Sequence, residues 1–426
     1  MKRVLVYLLF ICAVLQGCGS SAALQEAGVP ASQECDLSFV HMLSGMQEDD
    51  GSIYLSDTLY SNYIFVIDRE SGIDSPLCGR PDCTHDGSDC SAFVFLPTFG
   101  FQLYGDRLYW FGIGDIEKGE TEAYLFSQNK NGTGREKLYT IDRVSFYRYI
   151  GNAGAVCHKG YAFRYGVSQE IEQGKVTTTA LVKGYSLFRK EEITVLEEDC
   201  GETDTFLFLQ PIGDTVYIML SKTQIGEERE SANHHLKLLC WNMEERKCEI
   251  LFDEDVPFRG YEFKVLDERF LISTFSDSCV YELRKDTGEL RVLLQFGHEA
   301  NACNGVALAD TYAIGATFNG DKEQVIIVKD YEGGTVLDTV LDQHALNNCP
   351  RLLYCANDRE AVFFFSSYVE VLDPDAENEY GISDELEYLV AVPFNRDAPR
   401  LLWTNESYVR ERFEKAGYDL PKEYLH

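Results

Sequence analysis

Basic residues are scarce in this chain: 38 Lys and Arg stand against 70 Asp and Glu among 426 residues. That balance argues against nucleic acid and anionic headgroups as partners, because non-specific binding to polyphosphate is driven by clustered cations that release counterions. The excess acid reads as solubility, or as attraction for cations and basic partners. Catalytic signatures are missing as well. No Gly-x-Ser-x-Gly elbow, His-Glu-x-x-His pair, Walker loop or dinucleotide fingerprint occurs, which disfavours the common motif-bearing hydrolases and nucleotide enzymes. Pro (11) and Gly (34) stay below the level that signals disorder. What the chain has is aromatic mass, 25 Tyr and 26 Phe, enough for a sizeable core. Its length fits several domains or one large all-β domain, and the composition favours the latter.

One apolar run stands out, residues 4–15, preceded by Lys2 and Arg3. Twelve residues fall short of a membrane-spanning helix, and the pattern is that of an export signal. The run ends in Leu15-Gln16-Gly17-Cys18, which resembles the bacterial lipobox. The resemblance implies that residues 1–17 are removed and that Cys18 becomes a lipid-modified N-terminus; a protein needs two or more acyl chains for stable anchoring. Without Lys2 and Arg3 the net charge is −34, from 70 acidic and 36 basic residues. Residues 18–34 are small and polar and read as a flexible tether.

From residue 35 onward the chain repeats. A turn rich in Asp, Glu, Asn or Gly precedes a short aromatic or aliphatic strand at seven places, centred on Ile53, Leu108, Tyr161, Val216, Phe270, Tyr312 and Val362. β-Branched and aromatic residues suit a pleated, buried surface. Downstream of each comes a hairpin around a polar turn, at 68–72, 129–134, 189–192, 242–247, 284–288, 330–334 and 395–399. A further short strand is expected before most anchors, at 37–41, 93–96, 146–149, 206–209, 261–265, 302–306 and 351–354. Four strands per unit, seven times over, predict an all-β, seven-bladed β-propeller of four-stranded antiparallel blades over residues 35–404. Six blades would follow if the short interval between Phe270 and Tyr312 marks a degenerate unit, eight if the tail contributes. The phasing predicts ring closure by packing between first and last blades instead of by a shared sheet, unless a strand from Gln33 or the tail completes a blade. Residues 405–426 read as a polar appendage of low helical tendency packed on the outside.

The densest chemical signal is Cys78-Gly-Arg-Pro-Asp-Cys83-Thr-His85-Asp-Gly-Ser-Asp-Cys90, between the first and second repeats. Three thiols and an imidazole are the ligands of closed structural zinc sites, although the spacing is not that of a zinc knuckle or finger. Disulfides, which export permits, and free thiols are the other readings. Cys240 and Cys248 flank one hairpin turn and could oppose each other, and Cys349 and Cys355 are close in sequence.

No Trp-Asp repeat, kelch double glycine or Asp box marks the blades, which resemble the loose TolB-like and low-density-lipoprotein-receptor-like propellers. With its lipobox and its Cys-x-x-Pro-Asp-Cys-x-His segment, nearly the whole chain resembles uncharacterised surface lipoproteins of gut Firmicutes. That group brings no activity with it.

Propellers commonly bind ligands at the central channel, so polar residues on the expected innermost strands are candidates: His41, Arg148, Glu262, Lys264 and Arg351, with Tyr147, Tyr149 and Tyr261 as stacking faces. His234 and His235 read as part of an acidic loop. The sequence thus points to a monomeric, lipid-anchored propeller on the extracytoplasmic face of a cell membrane. It would bind a protein, peptide or glycan. The alternative is a surface glycan-degrading hydrolase or lyase, whose paired carboxylates would be spatial and invisible to a motif.

Overall fold

The computed structural model describes residues 33–34, 45–49, 51–56, 62–149, 151–172, 175–224, 233–274, 278–296, 306–318, 324–341, 351–356, 359–372, 380–395 and 397–419. Cys18 and His41 lie outside them. They form seven four-stranded antiparallel sheets, each built from consecutive strands: blades one to seven occupy 46–76, 95–141, 151–201, 203–256, 260–295, 306–341 and 351–404. Six or eight blades are thereby set aside. The unit after the short interval is a full sheet, and the tail adds no strand among the described residues.

All seven anchors lie on second strands, and all seven expected turns join third to fourth strands. The reason is burial from both sides. In blade two the second strand, Arg107–Ile113, is buried at every residue because neighbouring blades cover both of its faces. Such a strand reads as one continuous apolar run. The outer hairpins instead need turn chemistry: in blade five Gly288 takes φ 69°, and its amide closes the turn on the Arg284 carbonyl at 3.0 Å.

First strands contact one another from blade seven through blade one to blade six, and so line the axis. Among the described residues no sheet mixes strands from the two ends of the chain. Closure is by packing. Met46, Ile53, Leu55 and Ile67 of blade one share one core with Val362, Phe364, Leu389 and Trp403 of blade seven. Around this seam Arg69 of blade one pairs with Glu48 and with Glu360 of blade seven, and Arg400 reaches the other Glu360 oxygen at 3.2 Å. Gln33 completes no blade; its carbonyl accepts from the Tyr104 hydroxyl at 2.5 Å and the Lys159 amide at 2.8 Å.

Several local expectations need correction. The strand expected at 146–149 is a helix, α1 (Arg143–Arg148), and blade three starts at Gly151–His158 instead. Asp142 caps α1 by accepting from the Ser145 amide, Phe146 plugs the core, and the Arg164 guanidinium donates to the Ser145 and Phe146 carbonyls at 3.2 and 3.1 Å. The tail is also helical: α2 (Glu406–Lys415) buries Val409 and Phe413 completely in the core shared by blades six and seven. His234 and His235 open a strand (His234–Asn242), where His235 bonds to Asp253 and Asp255 at 2.6 and 2.8 Å.

Candidate metal centre and central channel

Cys78, Cys83, His85 and Cys90 come together. Their ligand atoms all lie within 4.8 Å of one another, in the segment that leaves the outer edge of blade one and enters blade two. Metal bonds of about 2.0–2.3 Å place the ligands of a tetrahedral zinc roughly 3.3–3.8 Å apart, so a small contraction would suffice. The backbone is already bent for it. His85 adopts φ 55° and presents Nδ1 3.2 Å from Cys90 Sγ. Arg80 spans the loop, donating to Cys83 Sγ at 3.1 Å and to the Asp89 carbonyl at 2.7 Å.

The segment is fastened to blade two. The Gly132 carbonyl accepts from the Gly79 amide at 3.1 Å and from the Ser91 hydroxyl at 2.9 Å. A Cβ on Gly132 would sit 2.7 Å from Gly79 N, so this contact requires a glycine. Cys90 is buried with Trp110 and Phe126, while Cys78 and Cys83 sit at the edge of that cluster. The thiols are electrostatically unlike. Burial resists ionisation of Cys78, yet donors from Ser91, the Arg80 and Ser91 amides and Cys90 draw it down to about 6. Burial and the two neighbouring sulfurs push Cys90 up to about 11. Beside the segment lies a cavity of 210 Å³, lined among others by Ser88, Phe93, Trp110, Lys118, Glu120 and Arg135.

All eight cysteines of known surroundings are free thiols. In particular, Cys240 pairs with Glu249 and Cys248 with Trp241, which puts the two cysteines on opposite faces of their sheet. A disulfide there is geometrically closed off. Cys349 lies outside the described residues.

The channel candidates divide. Glu262 and Lys264 share a face of blade five's first strand, Gly260–Val265. Lys264 Nζ is held by Asp310 at 2.6 Å, a tie from blade five to blade six. Arg351 opens blade seven's first strand, opposite Phe364. Arg148 is not on an inner strand: it ends α1 and pairs with Glu170 at 2.5 Å. Of the tyrosines, Tyr147 and Tyr149 flank the end of α1, whereas Tyr261 stands edge-on to Phe206 and Phe208 of blade four, 5.8 and 6.1 Å away.

Glu262 is the unusual group. Its side chain is partly buried, and its Oε2 is shut off from solvent with no hydrogen-bond partner. Burial lifts its carboxyl to about 8 against the opposing pull of Lys264 and a backbone amide. Tyr165, on the second strand of blade three, feels the Glu262 charge although blade four separates the two blades in the chain, and burial together with that charge raises its hydroxyl. Gly154 leaves room for the Tyr165 ring, which a Cβ there would strike. Tyr165 escaped the sequence reading because it lies past an anchor, where aromatic residues are routine.

This raised carboxyl predicts a pH effect. The folded state holds the Glu262 proton more tightly than the unfolded chain does, so its contribution is complete below the unfolded value near 4.5 and is lost as pH climbs towards 8. Glu262→Gln should match the parent at pH 4.5 and exceed it increasingly up to pH 8, as read from urea midpoints. A constant difference across that range would contradict the assignment.

No protein-family model matches the chain, and no curated protein matches it. Solved structures do. The chain is similar to a prolyl endopeptidase (TM-score 0.53, 14% identity), with 90% of this chain and 53% of that one covered. It is similar to the acylaminoacyl peptidase of Pyrococcus horikoshii (TM-score 0.50, 10% identity; 90% and 55% covered). An acylaminoacyl peptidase in complex with Z-Gly-Gly-Phe-chloromethyl ketone gives a TM-score of 0.51 at 11% identity, with 88% and 54% covered. The chain spans about half the length of these proteins. At such identities the likeness is one of fold: a β-propeller.

Proposed function

We propose that this protein is a ligand-binding propeller, monomeric and anchored through Cys18 lipid to the extracytoplasmic face of a cell membrane. It takes a protein, peptide or glycan segment into the mouth of the central channel. One observation carries the binding: the partly buried Glu262 carboxyl, neutral at physiological pH, with Oε2 unpartnered and the rings of Tyr165 and Tyr261 close by. A buried polar atom without a partner costs free energy that a ligand's carbonyl or hydroxyl oxygen relieves, and the rings offer apolar faces for a sugar or a peptide side chain. Arrays of peptides and glycans probed with the detergent-solubilised protein test it. Tyr261→Ala should weaken the captured ligand by about tenfold or more, the loss expected when an interface aromatic is truncated. Unchanged binding would remove the channel from the reading. The anchor has its own test: Cys18→Ser should abolish incorporation of a labelled fatty acid and release the protein from membranes.

The same carboxyl supports a second reading, a surface glycan-degrading hydrolase or lyase, since a carboxyl that keeps its proton near neutrality is what a general acid requires. Turnover of a polysaccharide that Glu262→Gln abolishes would favour the enzyme over the binding module.

The cysteine segment serves this architecture as a staple. Cys78, Cys83, His85 and Cys90 hold one structural zinc: four protein donors leave no open position, and thiolate with imidazole selects this ion over hard cations. The ion fixes the connection between blades one and two.

A further inference from the structure

Arg135 carries a buried positive charge with no counter-charge of the usual kind. It immediately precedes blade two's outer strand, Glu136–Ile141, its guanidinium 5.0 Å from the centre of the Trp110 ring. Nε donates to Gln128 Oε1 at 3.0 Å and Nη1 donates to the Phe93 carbonyl. Nη2 is shut off from solvent and has no hydrogen-bond partner. No carboxylate lies within ion-pair distance of it among the described residues, in a protein with 70 acidic side chains. Burying a cation this way is costly unless a buried anion stands nearby. The candidates are sulfurs: the Trp110 ring beneath the guanidinium packs in one cluster with Cys78, Cys83 and Cys90, and Phe93, whose carbonyl Arg135 holds, donates its amide to the Cys90 carbonyl at 3.1 Å.

We propose that Arg135 is the counter-cation of a metal–thiolate centre formed by Cys78, Cys83, His85 and Cys90. This rests on the metal reading above and deepens it. A divalent ion with three thiolates and one neutral imidazole carries a net charge of −1, which a single guanidinium balances. Arg80 donates to Cys83 from the solvent side, where water screens its charge, so the enclosed Arg135 holds the inner side of the centre. Arg135 touches no ligand through a hydrogen bond. It acts as a positioning residue: its charge would offset the net −1 of the loaded centre, and its bonds to Gln128 and Phe93 hold it in place.

The test uses the full chain in detergent, stripped of metal anaerobically and titrated with cobalt(II). The parent should take up one cobalt with the intense sulfur-to-metal absorption of a tetrahedral thiolate site. Arg135→Gln keeps hydrogen-bonding capacity without the charge, and should weaken cobalt binding about 10- to 100-fold, the range for second-layer partners of metal ligands. Arg135→Lys should restore binding to within about threefold. If Arg135→Gln binds cobalt as the parent does, Arg135 is a packing residue only and this inference is overturned while the metal centre stands. If the parent takes up no cobalt, both fall. The melting temperature of each metal-free variant shows that it folds, and a fall there without a change in cobalt affinity counts against the inference.

Discussion

His85→Asn should abolish metal binding while leaving the propeller folded, and Cys83→Ser should do the same with a larger loss of order in the segment around it. Asn is chosen because His85 sits at φ 55°, a left-handed conformation that Asn tolerates better than most residues. The expected loss of stability follows from linkage: an ion that binds only the folded state, free at a thousandfold its dissociation constant, contributes about 4 kcal/mol. Chelation of the parent should produce the same loss, and chelation of either variant none. Urea unfolding with and without chelator checks this. The effect should be strongest at the joint between blades one and two, where Gly132 receives Gly79 and Ser91 and where Cys90 packs on Trp110 and Phe126. Hydrogen exchange there should accelerate on metal loss while blades four and five stay protected.

The second large effect lies at the opposite seam. Trp403→Ala should destabilise the ring by about 3–5 kcal/mol, the usual range for emptying a buried aromatic site. The side chain is 3% exposed and belongs to the core that joins blade seven to blade one. Since no strand among the described residues crosses this seam, packing and the Arg69 ion pairs carry closure there. Arg69→Ala removes the guanidinium shared by the largely buried carboxylates of Glu48 and Glu360, a loss on the order of 2 kcal/mol. The two substitutions touch one interface, so their double mutant should depart from additivity. Equilibrium unfolding of the two single variants and the pair measures it; strict additivity would mean that core and ion pairs act independently.

The repeat was legible because second strands are enclosed on both faces and must be apolar, while outer turns must be polar and flexible; Leu108 to Phe111 and Arg284 to Gly288 show each rule. First strands were harder. They line an axis where polar and apolar residues alternate irregularly, so 146–149 passed for a strand although Asp142, three residues ahead of Ser145, was a helix cap in plain view. The tail helix also left a signal, Val409 and Phe413 four residues apart with Glu406–Arg410 and Glu411–Lys415 pairs on the other positions. Its low intrinsic tendency was overridden by burial. The cysteine cluster was visible as a dense run of thiols and one imidazole, but its spacing left metal, disulfide and free thiols open; what the fold adds is that all four ligand atoms meet within 4.8 Å. Arg135 was not visible at all: flanked by Gly134 and Glu136 in a charged hairpin, nothing local distinguishes it from a solvated arginine until blade two folds over it.

The most direct measurement is native mass spectrometry of the protein purified without oxygen. The account predicts one zinc per chain, lost on chelation and absent from the Cys83→Ser and His85→Asn variants. A metal-free chain two hydrogens light, with a disulfide mapped between any two of Cys78, Cys83 and Cys90, would contradict it.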